Sequence, residues 1–273
     1  MGWTSYREDI VSRYVAGRTT RKKSSVLVTL KTDKPTARTS PKKKPAQTTK
    51  GPIMSKLKEF TVAAPRPLPV ILLADISGSM SVNGKIDVLN QAVVEMIESL
   101  KEEDGSRSDI QVGVITFGHG GARIHQSLQS VGQAQWTPME AAGRTPLGSA
   151  LEVVTQWAED RDQIPSRAYA PTLILVSDGQ PTDEWENPLR NLMQSARASK
   201  AFRFAMGIGD DADTDMLTAF LDDTDTPVFK ANQARHIRQF FRWVTMSVTA
   251  RSRSVNPNQP IVIEPADLDE FEF

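Results

Sequence analysis

The 273-residue chain contains no cysteine. That absence excludes disulfide scaffolds, thiolate zinc sites, iron–sulfur clusters and cysteine nucleophiles together. No apolar run approaches the ~18 residues that would suggest a membrane span, and the polar N-terminus shows no apolar signal-peptide core. The expectation is a soluble, cytoplasmic protein with no membrane contact. Met1-Gly2 opens like a myristoylation site, but Tyr6 stands where that signal needs Ser or Thr. The three histidines, His119, His125 and His236, show no metal-ligand spacing. "GHGGAR" departs from G-x-G-x-x-G, there is no P-loop, and no G-x-S-x-G exists to form a nucleophile elbow.

Net charge is also absent, with 33 Lys+Arg against 33 Asp+Glu. The cancellation is uneven. Residues 1–50 hold 13 basic and 3 acidic residues, residues 51–253 hold 20 and 25, and residues 254–273 hold 5 acidic residues and no Lys or Arg. The chain therefore reads as a basic arm, a mildly acidic body and an acidic tail. Residues 18–55, dominated by Arg, Lys, Thr, Ser and Pro, lack the apolar surface to offset their ordering entropy. Within the arm only "REDIVSRYV" (7–15) suggests a helical piece and "SSVLVTL" (24–30) a strand. The expected division is a basic, largely disordered N-terminal extension over 1–63, a folded domain over 64–252 and an acidic tail over 253–273.

From residue 70 the texture changes. "PVILLADIS" and "APTLILVSDG" are apolar runs bounded by turn residues, as expected of strands buried on both faces. "DIQVGVITFG", "AFRFAMGIG" and "TPVFKA" read as further strands, with a weaker one around Arg123–Ile124. Between them, Ile86, Leu89, Val93, Met96, Ile97 and Leu100 form one helical stripe, and Leu147, Ala150, Leu151, Val154 and Trp157 another. Asn187-Pro188 predicts an N-cap opening a helix over 188–199, Asp213 a capped short helix, and Ile237, Phe240, Phe241, Val244 and Val248 a final one. Such alternation predicts an α/β fold: a doubly wound, mostly parallel central sheet with helices on both faces. Ligands in such folds sit beyond the carboxyl ends of the strands, so the loops leaving residues 75, 117, 178 and 209 are the ones to inspect.

The first of those loops reads Asp75-Ile76-Ser77-Gly78-Ser79-Met80. One carboxylate and two hydroxyls at alternate positions are hard oxygen donors, a set that suits Mg²⁺ or Mn²⁺. Alone the pattern is weak, because Ser and Asp also favour helix-capping turns. "GRTPLGSAL" adds Thr145 at the start of a helix, and "LVSDGQPTD" adds Asp178 at the end of the second buried strand. With these five residues in this order, the chain resembles the von Willebrand factor A domain family and its metal-ion-dependent adhesion site. The resemblance covers roughly 64–250. It places Asp75, Ser77 and Ser79 on the family's D-x-S-x-S, Thr145 on its isolated threonine and Asp178 on the aspartate of its third loop.

The resemblance implies that the serines bind the ion directly, the aspartates directly or through water, and that an acidic side chain of a partner fills the remaining position. "SDGQPTD" and "MGIGDDAD" look most like the bacterial TerY-like branch, whose members accompany tellurite-resistance, stress-response and phage-defence modules beside a protein kinase and a protein phosphatase. The cysteine-rich ribbon that some of them carry has no counterpart here. The expected function is a metal-dependent protein-binding adaptor, not an enzyme.

Two other readings compete: a metal-dependent hydrolase or phosphotransfer component with His119 as the nearest base, and a nucleic-acid-associated factor working through residues 18–50. The arm is equally readable as a solvated extension. The acidic tail either pairs with the arm or offers a carboxylate to another copy's metal site. Asp183 and Glu184 are expected to start the helix that follows them. "DDADTD" (210–215) fails as a calcium loop, because Met216 replaces the required glycine, and reads as helix capping.

Overall fold

The structure, a computed structural model, describes residues 64–102, 108–222 and 226–259. The candidate helix at 7–15, the candidate strand at 24–30, the basic arm and most of the acidic tail lie outside these residues. Among the described residues six strands form one sheet: β1 (Arg66–Asp75), β2 (Ser108–Gly118), β3 (Gly121–Ser130), β4 (Thr172–Ser177), β5 (Phe202–Ile208) and β6 (Phe229–Ala231). Their spatial order is β3-β2-β1-β4-β5-β6, parallel except for the antiparallel β2–β3 pair. Among the described residues five α-helices accompany them: α1 (Lys85–Glu102), α2 (Leu147–Glu159), α3 (Glu186–Gln194), α4 (Thr214–Leu221) and α5 (Ala234–Arg253). The expected doubly wound α/β architecture is present. None of the described helices is long and apolar enough to cross a membrane.

The unbroken apolar runs of β1 and β4 follow from their position at the centre of the sheet. Successive strand residues point to opposite faces, so a strand covered on both sides needs apolar side chains at every position. In β1, Leu68, Val70, Leu72 and Ala74 enter one core with α1 and α5. Ile71 and Leu73 enter the other, with α2, α3 and α4. β4 divides the same way, Ile174 and Val176 against Leu173 and Leu175. The helical stripes Ile86–Leu100 and Leu147–Trp157 are the surfaces that close these two cores.

Two elements differ from expectation. The weak strand around Arg123–Ile124 is a full ten-residue edge strand, β3, joined to β2 by a hairpin whose Gly120 and Gly121 take φ of 80° and 96°. It is faint in sequence because one edge and much of one face meet solvent, and Ile124 is 48% exposed. The helix expected over 188–199 instead spans Glu186–Gln194. The Asn187 backbone N–H donates to the Glu184 carboxylate at 2.9 Å, so the helix begins before Asn187. Pro188 therefore falls in the first turn, where a missing N–H costs no helical hydrogen bond. Ser195, with ψ of 157°, stops it short.

At the amino-terminal end of the sheet Arg251 of α5 is only 2% exposed. Its guanidinium donates to Pro257 O at 2.9 Å, Thr172 Oγ1 at 2.5 Å and Ala170 O at 2.8 Å, and lies 3.8 Å from the centre of the Phe202 ring. No carboxylate pairs with it among the described residues, and burial lowers its pKa to about 10, so it stays charged at neutral pH. It ties the last helix to the starts of β4 and β5. Replacing Arg251 with Ala strands two carbonyls and a buried hydroxyl, and should cost roughly 2–4 kcal/mol of stability, read as a lower urea midpoint at unchanged m-value.

Candidate metal centre

Strand order reverses between β1 and β4, and the carboxyl ends of these neighbours define the crevice of such sheets. Ala74 pairs with Val176, so Asp75 stands level with Ser177, and Asp178 follows immediately. Asp75 is fully buried. Its Oδ1 accepts the Ser77 backbone N–H at 2.8 Å, and its Oδ2 accepts the Ser177 hydroxyl at 2.7 Å. Ser77 remains extended, with φ −63° and ψ 168°, before a 3₁₀ turn over Gly78–Gly84 that the buried Met80 anchors. This geometry turns both serines toward β4. The Ser77 and Ser79 hydroxyls lie 2.9 Å apart, and Asp178 Oδ1 accepts from Ser79 at 2.7 Å and from Ser77 at 3.5 Å. Lys85 Nζ donates to Asp178 Oδ2 at 2.8 Å.

Thr145 reaches this end of the sheet on a long loop held by backbone bonds to both neighbouring strand ends. Ala142 N donates to Ile76 O at 2.7 Å, Gly78 N to Gly143 O at 3.0 Å and His119 N to Ala142 O at 2.7 Å. Gly143 has φ 89°, and a Cβ there would stand 2.5 Å from His119 N, so the loop requires glycine at this position. Thr145 itself is clasped by Thr182, whose hydroxyl accepts the Thr145 N–H at 3.1 Å and whose N–H donates to Thr145 O at 2.9 Å. The structure thus brings Asp75, Ser77, Ser79 and Asp178 into one hydrogen-bonded cluster. Thr145, 6% exposed, joins the Asp178 loop through Thr182. Among the described residues no hydrogen bond links its hydroxyl to the other four.

Asp183 does not start the helix that follows it. Its carboxylate accepts from Gly148 N at 2.9 Å, Ser149 N at 3.0 Å and Ser149 Oγ at 3.1 Å, capping α2 from a different loop. Pro146, at the cap position of α2, has no side-chain acceptor of its own. Glu184 does serve the next helix, as expected, and Asp213 caps α4 through Met216 N at 2.9 Å. His119 is tied to the Thr145 loop by its backbone, not by its ring. Sequence reasoning missed Ser177, Thr182 and Lys85. A signal existed for Lys85, because a cation as the first residue of a helix opposes the macrodipole.

The cluster opens to solvent at Ser79. Ser79 is exposed, and beside it runs a cleft of about 440 Å³ lined by Lys85, Asp178, Gln180, Asp210 and Asp211 among others. Burial pushes the Asp75 carboxyl above its ordinary range, against the hydrogen bonds from Ser177 and Ser77, and the nearby Asp178 adds to the rise. Of these two buried carboxylates Asp178 meets the Lys85 ammonium while Asp75 is met by neutral donors, an arrangement that stays costly without a further cation. The donors are hydroxyl and carboxylate oxygens with no sulfur or imidazole, and among the described residues no three His, Cys, Asp or Glu are grouped so that they alone could hold a metal ion. A hard divalent ion fits this set.

The profile of the von Willebrand factor type A domain matches residues 70–243, and the chain belongs to that family. Domains of this family are often metal-dependent protein-interaction modules. No curated protein matches the chain at the sequence level. Among solved structures, proximal thread matrix protein 1 from the mussel byssus is similar at 18% identity and TM-score 0.53, covering 67% of this chain and 48% of that one. A second structure of that protein, with zinc in its MIDAS motif, aligns at 16% identity and TM-score 0.52 over the same shares. A von Willebrand factor type A protein from Catenulispora acidiphila matches at 22% identity and TM-score 0.51, covering 68% of this chain and 43% of that one. The chain therefore spans less than half the length of these relatives, and the likeness is one of fold.

Two outcomes test the geometry. A proton held on Asp75 stabilises the folded state where the unfolded chain has already lost it, near pH 3.9. Metal-free stability attributable to Asp75 should therefore fall as pH rises from there through the raised value and then level off. Asp75→Asn should remove that slope from thermal melts recorded across pH. Gly148→Ala would drive its methyl into the Glu184 carbonyl, push the Asp178–Glu184 loop off α2 and cost roughly 1–3 kcal/mol. Asp183→Asn, which keeps one acceptor for the α2 N-terminus, should cost less in the same denaturation assay.

Proposed function

We propose that the chain is a metal-dependent protein-binding adaptor without enzymatic activity. In this reading Asp75, Ser77, Ser79, Thr145 and Asp178 hold Mg²⁺, with Mn²⁺ an alternative, and an Asp or Glu of a partner protein completes the coordination. The observation that carries it is the convergence of Asp75, Ser77, Ser79 and Asp178 at the crevice between β1 and β4, with Ser79 open to solvent. The bound ion supplies a strong positive centre for an incoming carboxylate. The chain's own residues do the positioning. Ser177 and the Ser77 N–H fix both oxygens of Asp75, while Thr182 and Asp183 hold the Thr145 and Asp178 loops together.

The phrases "SDGQPTD" and "MGIGDDAD" support placement in the TerY-like branch, and hence in a cytoplasmic bacterial stress-response, tellurite-resistance or phage-defence module. The partner in that setting is a kinase or phosphatase of the same module. The folded domain is assigned to 64–252, flanked by the basic extension and the acidic tail. The Lys/Arg-rich residues 18–50 are suited to nucleic acid or to an acidic partner.

Mg²⁺ at about 100 times its dissociation constant should stabilise the protein by about 2.7 kcal/mol, a rise of roughly 5–10 °C in melting temperature for a domain of this size. Asp75→Ala should abolish both that rise and the capture of partner proteins from the native host. Capture that is indifferent to chelator and to Asp75→Ala would overturn the reading.

A further inference from the structure

Lys85 is the first residue of α1, at the helix end where a positive side chain is opposed by the helix dipole. It stays there nonetheless, with its side chain 21% exposed and Nζ 2.8 Å from Oδ2 of Asp178, whose side chain is fully buried. Gly209 lies close to the ammonium. That residue has φ 81°, a conformation that favours glycine, and a Cβ there would stand 3.6 Å from Nζ, within ordinary contact. Asp210 and Asp211 line the same cleft, yet among the described residues the ion-pair partner of Lys85 is Asp178. The ammonium is therefore directed at one carboxylate of the candidate metal centre.

We infer that Lys85 is a resident counter-cation of this centre, weakening divalent-ion binding and strengthening the hold of the loaded site on a carboxylate. This rests on the metal-binding reading above. The reason is charge. With Asp75 and Asp178 ionised, Lys85 leaves the empty cluster at a net −1 instead of −2, so a divalent ion gains less on entering. Once the ion is present the same lysine leaves the site at +1 rather than neutral. At the short separations involved and with part of the cluster buried, one unit of charge changes ion affinity by a factor of ten or more. The lysine thus shifts binding strength from the metal to the partner's acidic side chain. It also neutralises Asp178 when no metal is bound, which keeps the crevice assembled.

The test compares wild type with Lys85→Gln, whose amide still donates to Asp178, and with Lys85→Arg, which keeps the charge. Mn²⁺ binding is read from the free-ion electron paramagnetic resonance signal, and acetate binding to the Mn²⁺-loaded proteins from water-proton relaxation. Expected are at least tenfold tighter Mn²⁺ binding and weaker acetate binding in Lys85→Gln, with Lys85→Arg close to wild type. The melting temperature should also rise more on Mn²⁺ addition in Lys85→Gln than in wild type. Mn²⁺ binding by wild type that is unchanged or weakened in Lys85→Gln would overturn the inference and leave the metal site standing. Failure of both proteins to bind Mn²⁺ would overturn the two readings together.

Discussion

Two carboxylates, Asp75 and Asp178, are buried side by side where adjacent parallel strands end, and the surrounding loops are arranged around that constraint. Neither can stay charged in such a place without donors or cations directed at it. Asp75 is met by a backbone N–H and the Ser177 hydroxyl, Asp178 by two serines and a lysine. Burial raises the Asp75 pKa against the hydrogen bonds from Ser177 and Ser77 that lower it. Buried carboxylates next to an opening form a place into which a cation would fit.

The supporting shell is long-range. Asp183 caps a helix through Gly148, 35 residues before it in the chain, and Thr182 holds both backbone polar groups of Thr145. Glycines permit the close approaches: Gly143 where its loop passes under His119, Gly148 where α2 meets the carbonyl of Glu184. Three loops from distant parts of the chain are therefore tied to one another, and a shift in any of them would reach the candidate ligands. At the opposite end of the sheet Arg251 provides a comparable tie, so both ends of the central strands are secured.

Much of this was legible in one dimension, for identifiable reasons. β1 and β4 declare themselves because strands buried on both faces must be apolar throughout, and α1, α2 and α5 because each presents a single stripe to a core. β3 was faint because an edge strand has less to bury. The boundaries of α3 were displaced because its first turn is served by Glu184 rather than by Asn187. The candidate ligands Asp75, Ser77 and Ser79 were readable because they sit on one short loop, and Asp178 because it terminates an unmistakable strand.

What the sequence by itself determined is the set of oxygen donors, the alternation of strands and helices, and the division of charge between a basic arm and the rest of the chain. These depend on residue type and local spacing, which a linear reading can follow. Tertiary structure decided which side chains serve those donors. Ser177 turned to Asp75, Asp183 to α2 and Lys85 to Asp178 only once β4 lay beside β1 and α1 returned over their ends. Hydrogen bonds and charge pairs act over a few ångströms, and folding alone brings Ser177 and Asp75, 102 residues apart, to such a distance.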